Sequence, residues 1–451
     1  MSDSPLVRVV HCVDTEGPLD ESVEATFERL GKAFGMAFEP SPQKLESLRR
    51  GEGVPPDIRD AVMRMLDPHL YSFRRNWSEI DEMLDRVQSP AFRRRLPDHH
   101  GEGWVFSWFC VDHVGYEINP RSRDLGHHKV WDHYRARMDA SPGSRDVLQF
   151  HYHPFPWNAM AHSCATSYLH SAHLVEILGR KILERKWFPS VFRPGFHVVR
   201  PDSHWFLEQW FPFDFSNQST DEEIDQPDLA DGRFGDWRRA PRTWRGYHPD
   251  HRDWQKEGGC RRTTFRCLNL ESRLRRLRPS DVLDAFQEAE ETGSAVLSFT
   301  SHDFRDMEPE ILAVHAMLEV AKSRHPTVEF EYCDALTAAR GQQGAGDVVP
   351  PSMSVRCEES GSARRLRIDA REELFGPQPF LVLEDDMGRI LHDNLDFEIS
   401  PKSWAYTFDW QTIPVERLRR IGIAATSPQG AVEVLEVDPR GQILSRSIHH
   451  A

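Results

Sequence analysis

The sequence predicts an α/β protein, a mainly parallel sheet or barrel, followed by a smaller all-β domain. Three observations carry this. From the N-terminus to about residue 340, short apolar runs rich in β-branched and aromatic residues alternate with stretches of helical spacing, the pattern of βαβ units. A segment rich in glycine, glutamine and proline, "GQQGAGDVVPP", then interrupts the sequence. Beyond it helical spacing nearly vanishes and hairpin signals take over. The expected organisation is therefore residues 1–340, a linker at 341–352, and an all-β domain at 353–451.

Taken in order, Leu6 to Val13 is a nearly continuous apolar run and reads as a buried strand. Residues 21–98 are charged, with apolar positions such as Ile80, Met83, Leu84 and Val87 at helical spacing, and read as a helical insertion. Val105 to Val111 and Val147 to His153 are strands, with a helix at Val130 to Met138 broken by Pro142-Gly143. Thr166 to Lys186 sets Leu174, Ile177, Leu178 and Ile182 on one helical face. Thr166 or Ser167 would cap it and Pro189 would stop it. A strand at Ser190 to Arg193, a helix at Ser203 to Trp210 and a strand at Phe213 to Ser216 follow. Residues 219–262 read as irregular. Ser280 to Thr292 is a helix stopped by Gly293. Ala295 to Thr300 and Val328 to Tyr332 are strands around a helix at Glu308 to Ala321. In the last domain "FLVLEDDMGRILHD" turns at Asp385 to Gly388 and "IGIAATSPQGAVEVLEV" at Pro428 to Gly430, which predicts a β-sandwich.

Composition bounds the function. A protein of 451 residues buries a sizeable core without disulfides. A net charge of −15 with no basic tail excludes a general nucleic-acid or anionic-membrane role. Seven scattered cysteines with no CxxC pair point to reduced thiols and a cytoplasmic location. The absence of a basic-then-apolar leader or a long apolar span points to no stable membrane insertion.

The chemistry sits at strand ends. Residues i and i+2 of a strand face the same way. In "VDTEG" Asp14 and Glu16 therefore converge, and in "FHYHPFPW" so do His151 and His153, with Pro154 ending the strand. Two imidazoles and one carboxylate suit zinc or a similar divalent ion, since catalytic zinc takes three protein ligands and keeps one position open. The second carboxylate is then free to act as a base on water. The spacing leaves open whether Asp14 or Glu16 is the ligand. D-x-E after a strand is also the pattern of a helix-capping turn, and among 23 histidines some H-x-H pairs arise by chance. Rival sets are His127, His128 and His133, and His162, His170 and His173, read mainly as helix-face or loop histidines. "VFRPGFH" adds Arg193, able to pair with an acid and depress its pKa, and Gly195, which permits close approach. "FDFSNQ" places Asp214 after a short strand. "VLSFTSHDF" ends in His302, able to act as a general acid, and Asp303, a carboxylate to tune it. "RLRRLRPS", with arginines from Arg273 to Arg278, can meet a phosphate or form a solvated helix face. Trp237, Trp244 and Trp254 can stack on sugar rings or simply pack.

In their order, "VDTEGP", "FHYHPFPW", "SVFRPGFH", "FDFSN" and "SFTSHDF" resemble the five motifs of the polysaccharide deacetylase superfamily (NodB homology, carbohydrate esterase family 4). The resemblance covers about residues 6–340 and is closest to a branch found with surface-polysaccharide and O-antigen genes. It implies a distorted (β/α)7 barrel with its site on the C-terminal face of the strands. It also implies a divalent metal, most often zinc, and hydrolysis of an N-acetyl group on a sugar; the expected cytoplasmic location points to a nucleotide- or lipid-linked one. By the same resemblance Asp14 is the general base, and Glu16, His151 and His153 are the metal ligands. Arg193 orients the base and His302 is the general acid. Phe213 and Asp214 form a substrate wall, and Trp157 joins them. The sequence departs from the family pattern in two places. Thr15 separates acids that are usually adjacent, and H-x-H replaces the usual HxxxH. The helical insertion and "INPRSRDLGHHKVWDHY" are additions expected to shape the pocket. The expected partner is an acetamido sugar or a sugar-linked small molecule or glycan. Two other readings stand beside the deacetylase: a hydrolase of another non-peptide C–N bond, and a non-catalytic glycan-binding or assembly protein. The β domain is read as structural, with glycan binding, covering of the barrel or a homodimer contact as its other candidate roles.

Overall fold

The computed structural model describes residues 4–68, 72–141, 143–220, 235–270, 275–344, 347–360 and 363–449. Five strands come first: β1 (Leu6–Thr15), β2 (Phe106–Cys110), β3 (Val147–Tyr152), β4 (Val191–Pro194) and β5 (Phe213–Asn217). A small outlying hairpin, β6 (Pro249–Asp250) and β7 (Asp253–Glu257), precedes β8 (Thr263–Asn269) and β9 (Ser294–His302). Strands β1 to β5, β8 and β9 pair in parallel, each with the next, and β9 pairs back with β1 from Leu6↔Ser294 to Asp14↔His302. The result is a closed, seven-stranded barrel. A further strand, β10 (Glu329–Tyr332), pairs with Leu6 to Val9 of β1, where β2 has not yet begun its own pairing at His11. The sequence pattern makes Val328 to Tyr332 a barrel strand and gives no sign of Thr263 to Asn269. The strand that completes the seven is in fact Thr263–Asn269, whose apolar alternation is hidden by Arg266 and by Arg262 just before it.

Alternation along the strands sorts the side chains. Val10, Cys12, Phe109, Val191, Phe213, Phe215, Phe265, Cys267 and Val296 point inward and form one cluster. Val7, Val9, Val13, Trp108, Phe150 and Phe192 point outward, against the helices.

The insertion carries α1 (Val23–Phe34), α2 (Pro42–Arg49), α3 (Arg59–Met65), α4 (Trp77–Val87) and α5 (Pro90–Arg94). The first three bury Phe27, Leu30, Leu48, Val62 and Met65 in a core of their own. Helix α4, capped by the Asn76 side chain, turns Ile80, Met83, Leu84 and Val87 onto the barrel, as their spacing predicts. The outer layer continues with α6 (Lys129–Asp139), α7 (Ala172–Arg185), α8 (Pro201–Trp210), α9 (Pro279–Thr292) and α10 (Met307–Arg324). Helix α7 starts later than its apolar spacing suggests. The Asp202 carboxylate accepts from Ser167 Oγ and from the Tyr168 and Leu169 amides. The expected caps are thus tied to another loop, and the first helical residue is Ala172. The last helix, α11 (Ala335–Gln343), closes the N-terminal end of the barrel with Ala335, Leu336, Ala338 and Ala339 against the inward cluster.

The C-terminal part comprises β11 (Met353–Ser360), β12 (Ala363–Ala370), β13 (Phe380–Asp385), β14 (Ile390–Asp393), β15 (Asp396–Ile399), β16 (Ser403–Phe408), β17 (Leu418–Thr426), β18 (Val432–Val437) and β19 (Ile443–His449). They form two antiparallel sheets, ordered β11-β12-β16-β15 and β14-β13-β17-β18-β19. Leu366, Ile368, Trp404, Leu381, Ile421 and Leu435 pack between them, as in a sandwich. The hairpins turn at the predicted positions. The outer face of the second sheet lies on α7. Phe380, Val382, Ala424 and Val434 join the same core as Leu178, Ile182 and Trp210. Gly179 makes this approach possible, since a Cβ there would stand 2.7 Å from Val382. Among the described residues no helix is long and apolar enough to cross a membrane.

Candidate functional site

Asp14 and Glu16 share the inner face at the end of β1, and His151 and His153 the inner face at the end of β3. The two histidine Nε2 atoms stand 2.9 Å apart. Glu16 Oε1 lies 3.9 Å from His151 Nε2 and 3.5 Å from His153 Nε2. Ligands held about 2.1 Å from a tetrahedral ion are separated by about 3.4 Å, so these three atoms have the spacing to share one cation. Among the described residues this is the group of His, Cys, Asp and Glu side chains that does so.

The tautomers agree with that use. His151 Nδ1 lies 3.0 Å from the Arg193 carbonyl. A carbonyl only accepts, so Nδ1 carries the proton and Nε2 turns a lone pair to the site. Burial lowers the His151 pKa to about 4, which keeps the ring neutral at pH 7. Burial pushes the Glu16 carboxyl up, but Arg123 and then His153 outweigh it and hold the group well below the usual carboxylate range. Two imidazoles, that of His151 neutral, and one ionised carboxylate match the three-ligand set of catalytic zinc.

The two acids have different surroundings. Asp14 spends both oxygens on Arg193, at 2.7 and 2.9 Å. Burial raises its pKa, and the Arg193 cation and the His151 ring lower it further than burial raises it. Glu16 gives one oxygen to Arg123 and keeps Oε1 for the histidines. The geometry therefore gathers Glu16, rather than Asp14, with His151 and His153. His302 closes the group from the end of β9, with Nε2 3.8 Å from Glu16 Oε1 and a side chain 25 % exposed. Crowding by protein lowers its pKa to about 4.

Asp303 serves differently from the expectation that it tunes His302. Its carboxylate accepts from the Glu16 and Gly17 amides at 2.9 and 3.0 Å and from the Tyr134 hydroxyl at 3.1 Å. It fixes the turn that presents Glu16, and burial raises its pKa to about 7. Gly195 also serves the site, because a Cβ there would fall 2.5 Å from the His153 ring. The next two residues, Phe196 and His197, hold left-handed backbone at φ 52° and 53°. Such strain in non-glycine residues persists only where surroundings enforce it. Here Gly235 N donates to Phe196 O and Trp237 Nε1 donates to His197 O.

Several expected site residues lie elsewhere. Phe213 is buried with the inward cluster near α11, at the closed end of the barrel. Asp214 is fully buried, 3.6 Å from Arg262, on the opposite side of β5 from the inward Phe213 and Phe215. Trp157 is fully exposed in the loop after β3. None of the three joins the cluster. Trp237 and Trp244 are core residues and Trp254 packs half-buried beside them. Among the described residues the rival histidines do not form a metal group. His128 pairs with Glu184, His133 with Asp81 and His127 with Glu176. His173 lies against Phe155. Arg273 lies outside the described residues.

Three contributors carry no signal of their own in the sequence: Arg123 on Glu16, His113 with Nε2 3.0 Å from the Glu16 carbonyl, and Tyr134 on Asp303. Arg123 and Tyr134 belong to "INPRSRDLGHHKVWDHY", the stretch expected to shape the pocket.

No family model matches the sequence, and no curated protein matches it. Among solved structures the protein is similar to a modular endo-β-1,4-mannanase from Cellulomonas fimi, of glycoside hydrolase family 26. The two are 13 % identical, the match covers 74 % of this chain and 85 % of that one, and the TM-score is 0.25. A likeness that slight carries no argument about chemistry.

Proposed function

We propose that the protein is a metal-dependent hydrolase that removes an N-acetyl group from a sugar, in the making of a surface polysaccharide. The observation that carries this is the gathering of Glu16, His151 and His153 around one point, with the Asp14–Arg193 pair and His302 beside it. The order of five motifs that resemble those of polysaccharide deacetylases supports the acetamido sugar as substrate.

A divalent ion held by Glu16, His151 and His153, zinc above all, supplies Lewis-acid activation of water and of an amide carbonyl. The protein supplies the rest. Asp14, kept ionised and oriented by Arg193, accepts the proton that the attacking water loses. His302, neutral at rest and open to the mouth, relays that proton to the departing amine. Water and amide become acetate and an ammonium group, and the protein groups that moved the proton end as they began. Asp303 and Arg123 hold Glu16 in place throughout.

Elemental analysis of the purified protein, beside a His151→Ala/His153→Ala control, tests this together with acetate release from N-acetylglucosamine derivatives. We expect about one metal ion per molecule, its loss in the control, and loss of acetate release with it. A protein that binds no metal at these residues would sink the hydrolase. Metal without acetate release would redirect it to another C–N bond.

A further inference from the structure

Five arginines of the described residues are buried: Arg123, Arg193, Arg262, Arg266 and Arg275. Four face a carboxylate within 4 Å: Glu16, Asp14, Asp214 and Asp281 respectively. Among the described residues Arg275 faces none. Its side-chain hydrogen bond there is a single one, Nη1 to Gln218 Oε1 at 3.3 Å. Asp236 acts on it only from beyond ion-pair distance and is itself paired with Arg238; a buried guanidinium with no carboxylate in contact is costly, so the position suits an anion from outside. Its backbone is left-handed, at φ 52°, and is tied to the end of β8 by Asn269 N on the Arg275 carbonyl and Leu277 N on the Asn269 carbonyl.

The neighbours form a series of fixed polarity. Arg275 only donates, so Gln218 must turn Oε1 towards it. Gln218 Nε2 then donates to Asn269 Oδ1 and to His197 Nε2, both at 2.8 Å. The His197 ring, kept neutral by burial, accepts on Nε2 and so carries its proton on Nδ1, which has no partner among the described residues. All four residues stand at the C-terminal mouth of the barrel: His197 after β4, Gln218 after β5, Asn269 at the end of β8 and Arg275 in the loop beyond it. His197 lies within the electrostatic reach of Arg275 on one side and of Arg193, Asp14 and His151 on the other.

We propose that Arg275, oriented by Gln218 and with His197 and Asn269 behind it, is an oxyanion subsite on the same mouth as the Glu16–His151–His153 cluster. It selects acetamido sugars that carry a phosphate or a carboxylate. That the ligand is a sugar rests on the hydrolase reading above; that it is an anion does not.

Calorimetric titration of the full-length protein tests this with four probes: inorganic phosphate, N-acetylglucosamine 1-phosphate, N-acetylmuramic acid and neutral N-acetylglucosamine. We expect at least one anionic sugar to bind tenfold or more tighter than the neutral one, and the tighter of the two to identify phosphate or carboxylate. Arg275→Gln should erase that preference and weaken phosphate tenfold or more, while Arg275→Lys retains part of both. Wild-type protein that binds neutral and anionic sugars alike would overturn the subsite without any variant. So would Arg275→Gln protein that binds phosphate as tightly as wild type. Metal content is read separately, so a protein that prefers anions yet holds no metal keeps the subsite and loses the hydrolase.

Discussion

Arg193 grips Asp14 with two parallel hydrogen bonds inside the barrel, and its third donor holds the Phe215 carbonyl at 2.5 Å. A planar fork of this kind fixes both the charge and the direction of a carboxylate, which a lysine ammonium cannot do. Strand β4 thereby orients a group on β1, across the interior of the barrel.

Removing the fork should strand a buried negative charge. Arg193→Gln is expected to destabilise the fold by about 3–5 kcal/mol, read from urea unfolding, and to abolish acetate release. Adding Asp14→Asn should return much of the stability and none of the activity. Equal losses in the single and double variants would mean that the pair is not the source.

His302 touches the site without contributing to its three-ligand group. His302→Gln should keep metal content unchanged and lower turnover by about 10²–10⁴-fold. Loss of metal in this variant would make His302 a ligand rather than a proton carrier.

Gly195 gives a test that spares every polar group. Gly195→Ala puts a methyl group into the His153 ring, which must then move off the Glu16–His151 axis. We expect metal affinity to fall at least tenfold, measured by competition with a chromophoric chelator, with an unchanged far-ultraviolet spectrum. Wild-type affinity would show that His153 does not bind in this position.

Acid sensitivity is built into β1. Trp104 donates to His11 Nδ1 at 3.0 Å, so His11 Nε2 is protonated and donates to Ser301 Oγ at 2.7 Å. A second proton would face a donor, and burial lowers the His11 pKa from 6.5 to about 3. The unfolded protein takes up this proton first as pH falls below about 6.5, so His11 costs nothing above that pH. Between there and about pH 3 it removes up to about 1.4 kcal/mol of stability per pH unit. His11→Gln should lower stability at pH 7 yet flatten its dependence on pH between about 6 and 4, by about one proton, in urea unfolding across that range. An unchanged slope would assign the acid lability to other buried histidines.

Much of this centre is legible in sequence because a strand's period of two is local. Glu16 two positions from Asp14, and His153 two from His151, are read from neighbours alone. The parts that escape are those that depend on distant partners. Arg123 reaches Glu16 across 107 positions, and nothing near either residue announces the pair. Asp303 looks like a partner for the adjacent His302, yet its acceptors are filled by amides from β1's end. Phe213 and Asp214 sit at a strand's start, so the barrel's depth, which only closure reveals, takes them away from the mouth. Strand β8 is hidden because inward-facing Phe265 and Cys267 alternate with arginine.

Phe380 and Val382 complete the same core as Leu178 and Ile182, so the barrel and the sandwich have no dry surface of their own on that side. Heat should therefore melt them together, in one calorimetric peak, and a protein cut near residue 343 would expose a greasy flank and precipitate. On this packing neither half has a stable existence apart from the other.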